Sequence, residues 1–149
     1  MTRVFGIDIR KGNIRSQTVS PHFSLVCVED GKVVFEEKEV SIPKLFRMLR
    51  QERPDILAVD SVQEIAPSDK ELFSFLSAMP AETKLVQVTG DGIKMESLPS
   101  VAARYNLKFD KTNPAEEGKA SALVASFGGG YEVLAFEGVT TVTVSRGRS

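Results

Sequence analysis

The sequence has little of several features that would mark a specialised class of protein. Cys27 is the only cysteine among 149 residues, which excludes an internal disulfide framework and favours a reducing, cytoplasmic setting. Lysine and arginine total 19 against 20 aspartates and glutamates, and a net charge of −1 gives no overall basic field. The longest uncharged stretches, 16–28 and 120–131, are too short and polar to span a bilayer. We therefore expect an ordinary globular domain with no membrane partner.

Hydrophobic periodicity predicts three strands at the start of the chain. Apolar runs at 4–9, 23–28 and 33–40 are typical of strands. Between the second and third, Asp30-Gly31 predicts a tight hairpin turn, because both positions accept a positive φ. The charged residues 36–39 suit an exposed sheet edge, where they would discourage pairing with other chains.

Helices and strands alternate in the rest of the chain. Ser41 and the Ser68-x-x-Glu71 motif predict the N-caps of two helices. Strands are predicted at 56–60 and 84–89, and a third helix near 98–105. A fourth helix opens at 113–114, and its apolar stripe predicts that Gly118 points away from the core. The residues of this stripe are Ala120, Leu123, Val124 and Phe127.

The predicted fold class is α/β, with helices on both faces of a mixed five-stranded sheet. Three hairpin-linked antiparallel strands would be followed by parallel βα units. Residues 1–130 would form this domain, and 131–149 would be a C-terminal β extension or the start of a linker. A further hairpin is predicted within that extension, from 132–136 and 139–144.

Carboxylates fall at the ends of two predicted strands. Asp8 interrupts the apolar first strand and Asp60 ends the fourth. If these strands are parallel neighbours, both side chains lie at the carboxyl edge of the sheet, where chemistry collects in α/β proteins. The structural alternative is that each aspartate caps the turn that follows it.

The last helix supplies a third acid. When residues are placed about 100° apart around the helix, Glu116 and Glu117 in the first turn both point toward the side of the apolar stripe. Crowded carboxylates stay ionised only with a cation, and an all-oxygen set favours Mg²⁺ or Mn²⁺. The alternative is that both glutamates complement the helix dipole. Basic residues Arg10, Lys11 and Arg15 follow the first strand, and are either a solvated loop or contacts for a nucleic-acid backbone.

Three short segments, in this order along the chain, resemble the RNase H-like superfold in its RuvC/YqgF branch. They are Phe-Gly-Ile-Asp-Ile at 5–9, Leu-Ala-Val-Asp-Ser at 57–61 and Glu-Glu-Gly-Lys-Ala-Ser-Ala-Leu at 116–123. Over nearly its full length the chain is also similar to the N-terminal domain of an uncharacterised archaeal family of longer proteins. The resemblance implies that Asp8 and Asp60 are the first-strand and fourth-strand acids of a metal-dependent nuclease site.

The last helix departs from the RuvC-type pattern. Enzymes of that type carry two aspartates there, and Gly118 and Ser121 occupy the corresponding places in this chain. Only Glu116 or Glu117, at a position slightly shifted from those of the two aspartates, could complete the set of metal-binding acids. Two functions therefore stay open: a nuclease with Asp8, Asp60 and Glu117 as catalytic residues, and a non-catalytic module of a larger nucleic-acid or ribonucleoprotein assembly. For the assembly of the chain itself we also consider a homodimer.

Overall fold

A computed structural model describes residues 2–9, 22–66, 68–89, 97–107, 114–134 and 142–145. Its strands are Arg3–Ile9 (β1), His22–Glu29 (β2), Lys32–Ser41 (β3), Ile56–Val59 (β4), Lys84–Gln87 (β5), Tyr131–Leu134 (β6) and Val142–Ser145 (β7). Its α-helices are Ile42–Glu52 (α1), Asp69–Ala78 (α2), Leu98–Ala103 (α3) and Pro114–Ser126 (α4), and a short 3₁₀ turn spans Val62–Glu64.

The described strands form one mixed sheet in the order β3-β2-β1-β4-β5-β6-β7. β1 pairs antiparallel with β2 and parallel with β4, and β4 pairs parallel with β5. The prediction of an α/β fold with a mixed sheet is confirmed. The predicted count of five strands is wrong: the C-terminal hairpin adds β6 antiparallel to β5 and β7 antiparallel to β6, which extends the same sheet to seven strands.

Local signals in the sequence set the turns and helix ends. Asp30 and Gly31 have φ values of 53° and 78° and close the β2–β3 hairpin, which is the geometry expected of an Asp-Gly turn. The Ser41 hydroxyl accepts from the Lys44 amide at 3.3 Å, and the Ser68 hydroxyl accepts from the Glu71 amide at 3.1 Å. Both predicted N-caps are therefore confirmed.

The helices cover both faces of the sheet. One core packs α1 and α2 against alternate residues of the central strands, including Phe5 and Ile7 of β1. The other core packs α3 and α4 against the opposite face, which includes Val4 of β1. Side chains alternate between the two faces along a strand, so Asp8 lies on the same face as Val4, which is the face covered by α4. Among the described helices, none is long and apolar enough to cross a membrane.

Helix α4 buries three of the four predicted stripe residues, Ala120, Leu123 and Val124, and also buries the side that carries Gly118 and Ala122. Gly118 is buried against β1, so the prediction that it points away from the core is wrong. Phe127, at the end of the predicted apolar stripe, is 51% exposed. The physical reason is that small residues let a helix approach a strand closely, so Gly118 and Ala122, rather than Phe127, meet the centre of the sheet.

Candidate metal centre

Two aspartates lie side by side at the carboxyl edge of the sheet. β1 and β4 are parallel neighbours with Ile7 level with Val59, and Asp8 and Asp60 are the residues that follow these two. Adjacent strands are about 4.8 Å apart, which brings residues at the same level within reach of each other. The expectation that these two strands are parallel neighbours is thus confirmed. Asp8 is only 6% exposed, and Asp60 is half-buried.

Helix α4 adds a third carboxylate to this pair. Glu117 lies in the first turn of α4, and one carboxylate oxygen from each of Asp8, Asp60 and Glu117 lies within 4.8 Å of the others. We call these three residues the acidic cluster. Glu116, the alternative third ligand, is not a member of it. Successive helical residues are turned by about 100°, so only one of two adjacent glutamates can face the aspartates.

A glycine contact sets how closely Glu117 approaches the strand. A Cβ atom built on Gly6 would lie 2.1 Å from the Gly118 carbonyl oxygen and 2.7 Å from the Ala122 Cβ. The backbone of α4 therefore rests directly on the backbone of β1, two residues before Asp8 and one residue after Glu117. The sequence carried a signal for this contact, because an isolated glycine within a strand often marks the close approach of another backbone.

Two features of the surroundings of Asp60 disfavour its ionised form. Burial raises the pKa of the Asp60 carboxyl above its usual value, and the negative charge of Glu117 raises it further. A hydrogen bond with the Thr89 side chain acts in the opposite direction on this pKa. The net effect is a carboxylate whose ionised form is disfavoured, and a bound cation would relieve both the burial and the repulsion.

Gly118 and Ser121 of α4 are both buried. Gly118 packs against the backbone of β1, and a Cβ atom built on it would lie 3.2 Å from the Gly6 carbonyl oxygen. Ser121 is fully buried, and its hydroxyl has no hydrogen-bond partner among the described residues. Both residues are therefore enclosed by packing, and Glu117 is the α4 carboxylate that faces Asp8 and Asp60.

The three basic residues predicted to contact a nucleic-acid backbone, Arg10, Lys11 and Arg15, lie outside the described residues. No family model, curated protein or solved structure matches the chain.

The described residues define an α/β domain with an acidic cluster at the carboxyl edge of its sheet. All three members of the cluster are oxygen donors. Opposite ligands of a Mg²⁺ ion are about 4.2 Å apart, so the cluster is close to the size required to hold such an ion.

Proposed function

We propose that this chain is an RNase H-like domain that binds Mg²⁺ or Mn²⁺ through Asp8, Asp60 and Glu117 and hydrolyses phosphodiester bonds in structured nucleic acid. The observation that carries the proposal is the convergence of three carboxylates, from β1, the end of β4 and α4, within 4.8 Å. Three antiparallel strands followed by parallel βα units, as the resemblance implies, support the same assignment.

Each carboxylate would have a distinct part in such a site. Asp8 is the most buried of the three and is fixed within a strand, so it would anchor the metal. Asp60 and Glu117 would complete the ligand set from either side. A divalent metal held there supplies an activated water and stabilises the leaving oxygen of the phosphodiester.

A second candidate function is a non-catalytic RNase H-like interaction module of a larger nucleic-acid or ribonucleoprotein assembly. The observation that favours it is the pair of departures on α4. Gly118 carries no side chain and packs against β1, and the buried Ser121 offers a neutral hydroxyl in place of a carboxylate. The two candidates differ in whether the acidic cluster binds metal and whether bound metal leads to cleavage.

Metal binding is tested by the thermal unfolding of wild type and single variants with EDTA or Mn²⁺. We expect Mn²⁺ at a hundredfold excess over its dissociation constant to stabilise wild type by about 2.7 kcal/mol. For a chain of this length that corresponds to roughly 8 °C in Tm. Asp60→Asn and Glu117→Gln should lose this shift. Glu116→Gln removes the same charge one residue away, outside the cluster, and should keep it. Equal Mn²⁺ shifts in Asp60→Asn and wild type would exclude the site.

Cleavage is then tested with labelled single-stranded, duplex and branched DNA and RNA in Mn²⁺. The nuclease proposal expects cleavage by wild type and Glu116→Gln and none by Asp8→Asn or Glu117→Gln. Mn²⁺ binding by wild type without cleavage of any of these substrates would decide for the non-catalytic module. Cleavage that persists in Asp8→Asn would instead place the activity elsewhere or in a contaminant.

A further inference from the structure

The segment that carries Asp60 is attached to the end of β5 by side chains. The parallel ladder between β4 and β5 ends with Val59 level with Gln87, followed by a bond from the Val88 amide to the Val59 carbonyl at 3.0 Å. Asp60 lies just beyond the last regular pairing. Its position therefore depends on whatever holds the chain after the ladder ends.

Thr89 makes the first of these attachments. Its hydroxyl donates to the Asp60 backbone carbonyl at 2.6 Å, and Thr89 is only 3% exposed. Thr89 thus holds Asp60 at its backbone carbonyl, next to the carboxylate that belongs to the acidic cluster.

Gln87 makes the second attachment. Its Oε1 accepts from the Val62 amide at 3.0 Å, and its Nε2 donates to the Thr89 carbonyl at 2.7 Å. Only this orientation of the side-chain amide satisfies both partners, because the flipped amide would place its NH₂ group against the Val62 N–H donor and its oxygen against the Thr89 carbonyl acceptor. Gln87 and Thr89 therefore hold the chain at Asp60 and again two residues later, at Val62.

We infer that Gln87 and Thr89 are positioning residues that fix Asp60 in the direction required for metal binding with Asp8 and Glu117. This inference rests on the proposed metal site and adds the residues that orient one of its ligands. Hydrogen bonds that orient a metal ligand commonly affect metal affinity strongly, and their loss costs about 10–100-fold in binding.

The chain offers a matched control at the opposite end of the same strand. The Thr83 hydroxyl donates to the Pro54 carbonyl at 2.6 Å, and Thr83 is 6% exposed. Thr83 and Thr89 are thus two buried threonines flanking β5, with the same kind of hydrogen bond at the same length. Only Thr89 is attached to a member of the acidic cluster. Thr→Val at either position removes one hydroxyl and retains the shape of the side chain.

The test measures the dissociation constant for Mn²⁺ by isothermal titration calorimetry on wild type, Thr89→Val, Thr89→Ser and Thr83→Val, with Tm in EDTA for each protein. We expect Thr89→Val to weaken Mn²⁺ binding by about tenfold or more. Thr83→Val should bind as wild type does, and Thr89→Ser should retain most of the affinity because it keeps the hydroxyl. Both valine variants should lower Tm in EDTA to a similar extent.

Each other outcome overturns the inference in a recognisable way. Equal Mn²⁺ affinity of Thr89→Val and wild type would make Thr89 a structural residue only. Equal weakening by Thr89→Val and Thr83→Val would assign the effect to lower stability. If Thr89→Val does not fold, Gln87→Glu replaces the donor to the Thr89 carbonyl by an acceptor and must weaken binding in its place. Failure of wild type to bind Mn²⁺ would overturn the proposed metal site itself, and this inference with it.

Discussion

The contact between Gly6 and Gly118 leads to a prediction in which two glycine substitutions have unequal effects. Gly6→Ala would place a Cβ atom 2.1 Å from the Gly118 carbonyl oxygen and 2.9 Å from the Ala122 amide nitrogen. Nonbonded heavy atoms are ordinarily about 3.5 Å apart, and helix backbone atoms cannot rotate out of the way. Helix α4 would have to withdraw from β1 by about 1 Å.

The cost of Gly6→Ala follows from this overlap. Overpacking of a core costs about 1–3 kcal/mol, and rigid backbone partners favour the upper end of that range. The loss of glycine freedom in the unfolded chain returns only about 0.4–1 kcal/mol. We therefore expect Gly6→Ala to destabilise the chain by about 2 kcal/mol, which lowers Tm by roughly 6 °C.

Gly118→Ala is the matched substitution on the helix side of the same contact. Its Cβ atom would lie 3.2 Å from the Gly6 carbonyl oxygen, so a shift of a few tenths of an ångström suffices. Alanine within a helix is favoured over glycine by about 1 kcal/mol, which offsets that strain. Gly118→Ala should therefore remain within about 1 kcal/mol of wild type.

Urea denaturation in EDTA and Mn²⁺ titration of both variants check this prediction. Gly6→Ala should also weaken Mn²⁺ binding, because withdrawal of α4 carries Glu117 away from Asp8. Gly118→Ala should bind Mn²⁺ nearly as wild type does. The reasoning is refuted if Gly6→Ala is as stable as wild type, or if Gly118→Ala is the more damaging of the two. Either result would mean that α4 does not rest on β1 at this point.

Two further predictions concern ionisable groups. Because burial and Glu117 raise the pKa of Asp60, the folded chain holds this proton to higher pH than the unfolded chain. This contribution to stability is present below the pKa of the unfolded chain, about 3.9, and is lost as the pH rises through the pKa of the folded chain. In EDTA, the unfolding free energy of wild type should therefore fall relative to that of Asp60→Asn above about pH 4. Urea titrations across pH check this, and a constant difference would contradict it. Burial also raises the pKa of the Cys27 thiol to about 11, so a thiol reagent at pH 8 should label it only in denaturant, and rapid labelling of the native chain would contradict that burial.

Much of the arrangement at Asp8 and Asp60 could be predicted from the sequence because it depends on local patterns. The Asp30-Gly31 turn makes β2 and β3 a hairpin, and the order of elements favours parallel pairing of β1 and β4. Once these strands are neighbours, strand geometry brings the two aspartates to one edge. The pairing of β6 with β5 depends on a contact between distant segments, and the hairpin pattern at the C-terminus does not contain it.

The sequence leaves Glu116 beside Glu117 as a candidate metal ligand, because the choice between them depends on the rotation of α4. The predicted stripe is correct for Leu123 and Val124, which are buried, and wrong for Phe127, which is half exposed. The contact that fixes the rotation is between Gly6 and Gly118, two residues without side chains. Small residues add little to a hydrophobic pattern, although they determine how near two backbones can come.

Repulsion within the acidic cluster lowers the stability of the fold in the absence of a cation. The response of that stability to Mn²⁺ distinguishes a metal site from a cluster that binds no metal. Close packing of α4 on β1 holds Glu117 near Asp8 and Asp60 even though like charges repel. If no cation binds, removal of the Asp60 charge should relieve this repulsion, so at neutral pH Asp60→Asn should unfold at a higher temperature than wild type both in EDTA and in Mn²⁺. If a cation binds, the order in EDTA is the same, but Mn²⁺ should reverse it by stabilising wild type alone. A crossover between the two Tm curves as Mn²⁺ is added therefore identifies a metal site, and parallel curves identify a cluster that packing alone maintains.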